Sequence, residues 1–198
     1  MRVLMVYCHP VEGSFNSALR DRALVALRTA GHDVELLDLY HEGFDPVLST
    51  AEREAYISDT AWLAARVQRH VDLLARSEGL VFVYPTWWYG PPAMLKGWLE
   101  RTWLPDRAFT IAKKKGERAG AGLQHVRWLC CITTSGAPWW WLLLMRDPGR
   151  MLFVRGLRAL MARRCRVTWL QLFDMNNVDD GDRGRFLDRV QRALSAVR

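Results

Sequence analysis

The sequence is short of cysteine and of long hydrophobic runs, and each shortage excludes a class of protein. Four cysteines among 198 residues, with no Cys-x-x-Cys pair, exclude a disulfide-stapled miniprotein and favour buried free thiols in a reducing compartment. The longest apolar run covers nine residues, 137–145, which is too few to cross a bilayer. The apolar run at 3–8 is likewise too short for a signal peptide. We therefore predict a cytoplasmic protein.

Acidic residues are also scarce relative to basic ones. Asp and Glu number 21 against 28 Lys and Arg, which gives a net charge of +7 and favours contacts with anionic partners. The composition is 50% hydrophobic and 25% charged, a globular balance that excludes a disordered or collagen-like chain. No helix-turn-helix, zinc or RNP pattern accompanies the basic residues, so we predict no nucleic-acid partner and no metal site.

Short apolar runs alternate with helical patterns along the chain, which predicts a parallel α/β sheet with helices on both faces. The predicted strands cover 3–8, 33–39, 80–84, 128–133 and 167–173. The predicted helices cover 16–30, 51–76 with a break near Ser58, 91–103, 148–163 and 182–197. Ligands of such sheets bind outside the carboxyl ends of the strands. We therefore expect the informative residues to follow the first, third and fourth strands.

The loop after the first predicted strand carries groups that suit a phosphate. Gly13, the Ser14 hydroxyl and the Asn16 amide come directly before a predicted helix, whose N-terminus adds free N–H groups. The loop matches neither GxGxxG nor GxxxxGK[ST]. An ordinary helix cap by Ser14 or Asn16 explains it equally well. His9 taken alone fits a loop histidine better than a catalytic one.

The loops after the third and fourth predicted strands carry aromatic rings and hydroxyls. Trp87, Trp88 and Tyr89 are adjacent in a loop bounded by Pro and Gly, which favours stacking on a planar heterocycle over an aromatic plug on the sheet end. The segment 133–138 holds hydroxyls and a glycine that let the backbone approach a ligand closely. At least one ring of 139–141 can wall the same site, and the others are expected in the core or at a subunit interface.

Three motifs stand in order from the first strand to the fourth. They are His9-Pro-x-x-x-Ser14-Phe15-Asn16, Pro85-x-Trp87-Trp88-Tyr89-x-x-Pro92-Ala93-x-Leu95-Lys96-Gly97-Trp98-x-x-Arg101, and Thr133-Thr134-x-Gly136. Together they resemble the NAD(P)H:quinone oxidoreductase family. The resemblance implies a single flavodoxin-like domain over 1–198. It also implies a three-layer sandwich around a five-stranded parallel sheet of order 2-1-3-4-5, with helices on both faces.

The resemblance further implies a flavin, FMN or FAD, and hydride transfer from NAD(P)H to quinones or similar two-electron acceptors by a ping-pong mechanism. It implies a homodimer, and a structural or interface role for Lys96, Trp98 and Arg101. The residues that it places on the phosphate side of the flavin are His9, Ser14, Phe15 and Asn16. Those that it places around the ring are Pro85, Thr86, Trp87, Trp88, Tyr89, Thr133, Thr134, Ser135 and Gly136.

The chain departs from the family pattern beyond the third motif. Family members carry a Tyr and a His shortly after a Thr-Thr-Gly-Gly segment, whereas Ser135 replaces the first of those glycines here. No Tyr or His occurs between Gly136 and Arg198, so a Tyr-His charge relay cannot be transferred. Arg146 is an alternative source of positive charge, but we interpret it as an exposed arginine. The catalytic residue is therefore left unassigned.

Two other functions and two basic stretches stay open. Some family relatives are cytoplasmic regulatory subunits of potassium efflux systems, and this is our alternative to an enzyme. A one-electron flavodoxin carrier ranks last, because carriers present an acidic docking face.

We interpret the basic residues as a solvated face, with the 2′-phosphate of NADPH or an anionic membrane surface as alternatives. The stretches are Lys113-Lys114-Lys115 and Arg146, Arg150, Arg155, Arg158, Arg163, Arg164 and Arg166, opposed only by Asp147.

Overall fold

The computed structural model describes residues 1–112 and 119–198, and a parallel β-sheet runs through its centre. The strands are β1 (Arg2–Tyr7), β2 (Asp33–Asp38), β3 (Gly79–Thr86), β4 (Phe109–Thr110), β5 (Gly120–Ala121), β6 (Trp128–Ser135) and β7 (Arg166–Leu172). Five of them form one sheet in the order β2-β1-β3-β6-β7, with every neighbouring pair parallel. Because β4 and β5 form a separate antiparallel pair, this is the predicted order 2-1-3-4-5.

Helices cover both faces of the sheet. They are α1 (Phe15–Thr29), α2 (Thr50–Ala55), α3 (Thr60–Arg66), α4 (Gln68–Arg76), α5 (Ala93–Thr102), α6 (Trp139–Leu144), α7 (Pro148–Met151) and α8 (Asp180–Ser195). A π-helical turn at Leu152–Leu157 and a 3-10 turn at Arg158–Leu160 continue α7. Within the described ranges, no helix combines the length and the apolar composition that crossing a membrane requires.

The strands alternate their side chains between two separate cores, which is why the apolar runs are continuous rather than alternating. In β1, Val3 and Met5 join the core under α1 and α8. Leu4 and Val6 join the opposite core, which packs against α4 and α5. The flavodoxin-like three-layer arrangement expected from the sequence is therefore confirmed.

Several element boundaries differ from the sequence-based prediction, and each has a local cause. The predicted helix 51–76 is three helices, and Asp59 begins the second by accepting the Trp62 N–H at 3.0 Å. The predicted helix 148–163 changes to a wide π turn, which inserts Phe153 into the core at 5.1 Å from the Phe82 ring. Helix α6 was not predicted, because a run of apolar residues without periodicity gives no helical signal.

A buried ion pair ties α5 to α2 and to the loop before it. Arg101 donates through Nη2 to the Glu52 carboxylate and through Nη1 to the carbonyl oxygen of Asp45, and both paired side chains are buried. Ser49 donates to Glu52 from both its N–H and its hydroxyl at 2.8 Å. Burial raises the pKa of Glu52, but the hydrogen bonds from Ser49 and Arg101 outweigh it and hold the pKa at about 2. Trp98 on the same helix is also fully buried, which agrees with a structural role for Trp98 and Arg101, whereas Lys96 is half-exposed and pairs with Glu100.

The four cysteines are free and buried, as predicted. Cys130 and Cys131 are adjacent in β6 and enter the two opposite cores. Burial raises the pKa of all four thiols, and it brings that of Cys8 to about 12. Since the thiolate is the reactive form, none of these groups is poised as a nucleophile.

We expect none of the four thiols to react with Ellman's reagent in the native protein, and all of them to react after unfolding in guanidinium chloride. Burial keeps the reagent away from the sulfur atoms, and the raised pKa values keep the thiolate fraction small at the assay pH. The measurement is the absorbance of the released thionitrobenzoate before and after denaturant is added. Rapid native reaction of one thiol equivalent would contradict the burial described above.

Candidate functional site

The three loops predicted to carry the site meet at the carboxyl edge of the sheet. We call 8–16 the first segment, 85–92 the second and 133–138 the third. β1, β3 and β6 are neighbours, so their carboxyl ends lie side by side. Asn16 Nδ2 donates to Thr134 Oγ1 at 3.2 Å, which joins the first segment to the third. The hydroxyls of Thr86 and Thr133 are 3.0 Å apart, which joins the second to the third.

In the first segment, Ser14 caps α1, and the side-chain oxygen of Asn16 has no hydrogen-bond partner in the described part of the chain. Ser14 Oγ accepts the Ser17 N–H at 3.2 Å and caps α1, so the ordinary capping interpretation holds for this serine. Asn16 is buried, and its Oδ1 has no hydrogen-bond partner among the described residues. Phe15 turns its ring toward Phe186 on α8, with centroids 6.5 Å apart. Only the backbone of Phe15 is therefore directed toward the loop.

His9 lies between the first segment and the second. Its ring centroid is 6.1 Å from that of Trp87. Its Nδ1 accepts the N–H of Val11 at 3.1 Å, which closes a local turn. A separate cavity of about 200 Å³ opens on the side of His9 that faces Asp38 and His41. The histidine is thus part of the loop framework, as its sequence context suggested.

The second segment forms a tight two-residue hairpin with unusual residues at its corner. Trp87 and Gly90 exchange two backbone hydrogen bonds of 3.0 Å. The two corner residues have positive φ angles, 49° at Trp88 and 62° at Tyr89. Such a turn is normally made by Asn-Gly, because a residue with a large side chain pays about 1–2 kcal/mol to adopt this conformation. Two aromatic residues held here at that cost point to a functional requirement for their rings.

The segment after β6 clamps this turn from the other side. Trp141 Nε1 donates to the Tyr89 hydroxyl at 2.9 Å. Gly149 in α7 packs so closely that an added Cβ would lie 2.8 Å from the carbonyl oxygen of Tyr89. Trp141 is therefore the ring of 139–141 that walls the site. Trp139 and Trp140 are exposed, so the core is excluded for these two rings, and a subunit interface, the other place expected for them, stays a prediction.

Beneath the turn lies an open cavity of about 260 Å³. Its lining residues are Thr86, Trp88, Tyr89, Ser135, Gly136, Ala137 and Leu142. Of the residues predicted for the ring, Pro85, Thr133 and Thr134 lie in the strands at the base of the site. The two threonines act through their hydrogen bonds to Thr86 and Asn16. Trp87 borders His9 instead of the cavity.

Comparison with known proteins identifies the family of the chain. Residues 1–197 match the Flavodoxin_2 family, which is described as having a flavodoxin-like fold. The chain belongs to the Flavodoxin_2 family. NAD(P)H dehydrogenase [quinone] 1 of Cavia porcellus is 29% identical over 150 residues, which are 68% of this chain and 54% of that protein. The chain thus spans about half the length of the curated relatives that it matches first.

Two solved structures are similar to this Flavodoxin_2 protein over their whole length. Smu.1420 from Streptococcus mutans UA159 gives a TM-score of 0.86 at 29% identity, and the alignment covers 100% of both chains. The NAD(P)H:quinone oxidoreductase from Methanothermobacter marburgensis gives 0.84 at 27% identity, over 100% of this chain and 99% of that one.

The residues of this Flavodoxin_2 site fit the flavin that the sequence motifs imply. The cavity has aromatic and apolar walls with backbone and hydroxyl groups at its edge, as a planar heterocycle requires. The unpartnered Asn16 Oδ1 is a buried acceptor that a ligand hydroxyl or N–H would satisfy. The N-terminus of α1 follows directly and suits a phosphate.

The loop after β7 also contacts the site, although the sequence analysis did not include it. The N–H of Asp174 donates to the carbonyl oxygen of Ala137 at 3.2 Å, and that of Met175 donates to Ser135 at 3.0 Å. Asn176 Nδ2 lies 3.8 Å from the position that a Cβ on Gly136 would occupy. The signal was available, because this loop leaves the same edge of the sheet as the three motif segments.

One acidic group lies at the junction of α6 and α7. Asp147 accepts the Arg150 N–H at 3.1 Å and begins α7 from a left-handed backbone conformation with φ of 38°. Burial raises the pKa of its carboxyl, while the bonded N–H and the Arg150 charge act in the opposite direction. The residue fixes the corner that carries Gly149 against the aromatic turn.

Proposed function

We propose that this chain is a flavin-dependent NAD(P)H oxidoreductase that transfers hydride to quinones or similar two-electron acceptors, as a single flavodoxin-like domain over 1–198. The observation that carries the proposal is the strained Trp88-Tyr89 turn, which Trp141 holds over an open cavity at the carboxyl edge of the sheet. The names of the quinone oxidoreductase relatives support the reaction class.

The proposed roles follow from position. His9, Ser14 and Asn16, with the backbone at Phe15 and the N-terminus of α1, hold the phosphate side of FMN or FAD. The ring lies among Thr86, Trp88, Tyr89 and 135–136, above the base formed by Pro85 and 133–134, and Trp87 stands on the side toward His9. When bound, the flavin supplies hydride transfer that no side chain can perform. Backbone N–H groups after Thr134 are candidate donors to negative charge that develops on the ring.

The order in which donor and acceptor bind follows from the cavity that they share at the Trp88-Tyr89 turn. Nicotinamide donor and acceptor both need the open face beside Trp88, so they occupy it in turn. This sharing predicts ping-pong kinetics, with parallel lines in double-reciprocal plots. No side chain is assigned as a proton donor, and the catalytic residue stays unassigned.

We further propose that the protein acts in the cytoplasm as a homodimer on a quinone-like acceptor. Four free thiols support a reducing compartment, and the sequence motifs support the dimer. Nothing in the described residues or in the relatives named above favours the alternative, a regulatory subunit of a potassium efflux system. The cluster Lys113-Lys114-Lys115 lies outside the described residues.

The test is the absorbance spectrum of the purified protein, followed by mass analysis of any released cofactor. We expect flavin bands near roughly 370 and 450 nm that bleach on addition of NADH or NADPH and recover with a quinone. The released mass distinguishes FMN from FAD. Absence of flavin after incubation with excess FMN and FAD would overturn the proposal, and bleaching without recovery by any quinone would overturn the acceptor class.

The Trp141–Tyr89 hydrogen bond gives a sharper test of the ring site. Trp141→Phe keeps an aromatic ring and removes the Nε1–H, so the Tyr89 hydroxyl loses its donor. We expect the flavin dissociation constant to rise about fivefold, since a hydrogen bond contributes about 1 kcal/mol. Quenching of flavin fluorescence on binding measures it. Trp139→Phe on the same helix is the matched control, and equal effects of the two variants would rule out the clamp.

A further inference from the structure

Helix α6 presents an apolar face to solvent. We define the α6 face as Trp139, Trp140, Leu143, Leu144 and Met145, whose exposed fractions are 62%, 54%, 70%, 66% and 40%. The other two side chains of the segment, Trp141 and Leu142, turn inward to the site. Contiguous large apolar side chains of this kind mark interaction surfaces on folded proteins.

Cations follow the α6 face along the chain. Arg146 follows Met145 directly, Arg150 lies in α7 and Arg155 lies in the π turn, and all three are exposed. None of them forms a side-chain ion pair within the described residues. The only acidic residue of 136–173 is Asp147, which is half-buried and occupied in capping α7. A partner that combines apolar groups with negative charge therefore complements this surface.

We propose that the α6 face docks on an anionic phospholipid surface. Trp and Leu side chains enter the boundary between headgroups and acyl chains, where aromatic rings are favoured. The guanidinium groups of Arg146, Arg150 and Arg155 then reach lipid phosphates, and each contributes about a fivefold gain in affinity. Helix α6 is too short to span the membrane, so the contact is peripheral.

A second copy of this chain is the other occupant that an apolar face can take. A two-fold contact through the α6 face would place the same surface of each copy together, since such contacts are self-complementary. The arginines of the two copies would then lie near one another, with only one half-buried carboxylate each to offset them. Charge complementarity thus favours anionic lipid over self-association for this face.

Docking through the α6 face also determines how the acceptor reaches the site. This consequence rests on the proposed function. Leu142 and Trp88 line the cavity, and Trp88 is 96% exposed at its mouth. Because Leu142 belongs to α6 itself, the cavity lies next to the docking face. A quinone dissolved in the bilayer would reach the site without crossing water.

The binding test uses flotation with vesicles of phosphatidylcholine, alone or mixed with phosphatidylglycerol. We expect the wild type to float with the mixed vesicles only, and added salt to weaken the binding. The Leu143→Glu, Leu144→Glu double variant should lose at least tenfold in affinity. Val25→Glu with Val47→Glu is the matched control, because these valines are exposed to a similar extent on other elements. The control should bind like the wild type.

Three outcomes would overturn the proposal. They are no flotation of the wild type with mixed vesicles, equal binding of the Leu143, Leu144 variant, and equal binding of an Arg146→Gln, Arg150→Gln, Arg155→Gln variant, for which about a hundredfold loss is expected. Size-exclusion chromatography with light scattering completes the test. If the glutamate variant becomes monomeric while the wild type is a dimer that ignores vesicles, the occupant is a second copy.

A comparison of acceptors separates this inference from the proposed function. With a long-chain quinone in mixed vesicles, the Leu143→Glu, Leu144→Glu variant should be at least tenfold slower than the wild type. With a short-chain, water-soluble quinone the two should be equal. Vesicle binding without reduction of either quinone would support the docking surface and overturn the proposed function. Reduction of both quinones without vesicle binding would support the proposed function and overturn the docking surface.

Discussion

Replacing Arg101 by methionine should lower the free energy of unfolding by about 3–5 kcal/mol, the usual loss when one partner of a buried ion pair is removed. The Glu52 carboxylate, whose side chain is 4% exposed, would keep only Ser49 and the half-exposed Arg66 as partners. Asp45 would also lose the donor to its carbonyl oxygen. Denaturation in urea measures the change. Arg66→Met is the control, and we expect it to cost no more than about 1 kcal/mol.

The Arg101–Glu52 ion pair also predicts how the difference in stability between the wild type and Arg101→Met depends on pH. Hydrogen bonds from Ser49 and then from Arg101 lower the pKa of Glu52 in the folded protein from 4.5 to about 2. A group with a lowered folded pKa stabilises the protein above its unfolded pKa, so this contribution, about 3 kcal/mol, is lost as the pH falls from 4.5 through 2. Arg101→Met keeps the Ser49 hydrogen bonds and loses only the Arg101 share of this contribution, so the gap in stability between the wild type and the variant should narrow by that share over the same range. A gap that stays constant would contradict the ion-pair interpretation.

The double variant Trp88→Asn, Tyr89→Gly should make the protein more stable and less able to bind flavin. Asn-Gly adopts the observed turn without strain, so we expect a net gain of about 1–2 kcal/mol in the free energy of unfolding. Little packing is lost at Trp88, which is almost fully exposed, and the lost Tyr89–Trp141 hydrogen bond, worth about 1 kcal/mol, offsets only part of the strain relieved at the two residues. Loss of two stacking rings should raise the flavin dissociation constant at least about thirtyfold, since each contributes about 1–3 kcal/mol.

The measurement is urea denaturation of the flavin-free proteins, together with flavin titration by fluorescence quenching. Trp62→Asn, which removes a partly exposed tryptophan from α3, is the control for loss of a ring elsewhere. It should leave the flavin dissociation constant unchanged. A double variant that is less stable than the wild type and binds flavin equally well would show that the turn is held for its packing, and the proposed ring site would be abandoned.

The sequence predicted the fold because its strands are strong local signals. Continuous runs such as Val3–Cys8 can be satisfied only by burial on both faces, and a parallel sheet places their carboxyl ends at one edge. That rule alone predicts that Asn16, Thr86 and Thr134 lie at one site. The same rule applied to the fifth strand would have included Asp174 in the site.

What the sequence could not predict depends on contacts between distant segments. Trp88 and Tyr89 are not turn-forming residues, and their positive φ angles persist because Trp141 and Gly149 hold the turn from outside. Helix α6 has no periodicity, so its exposed side could not be identified. Phe15 stands in a binding motif, yet α8 provides the surface on which its ring packs.

The burial of the four thiols would protect them from the substrate in the proposed reaction. Quinones are electrophiles that add to thiolates, so a protein that binds them repeatedly risks alkylating itself. Cys8 directly follows β1, at the edge of the sheet where the acceptor would bind, and it is fully buried with a pKa near 12. Such a protein would retain its activity through many turnovers, whereas one with an accessible thiol at this edge would be inactivated by its own substrate.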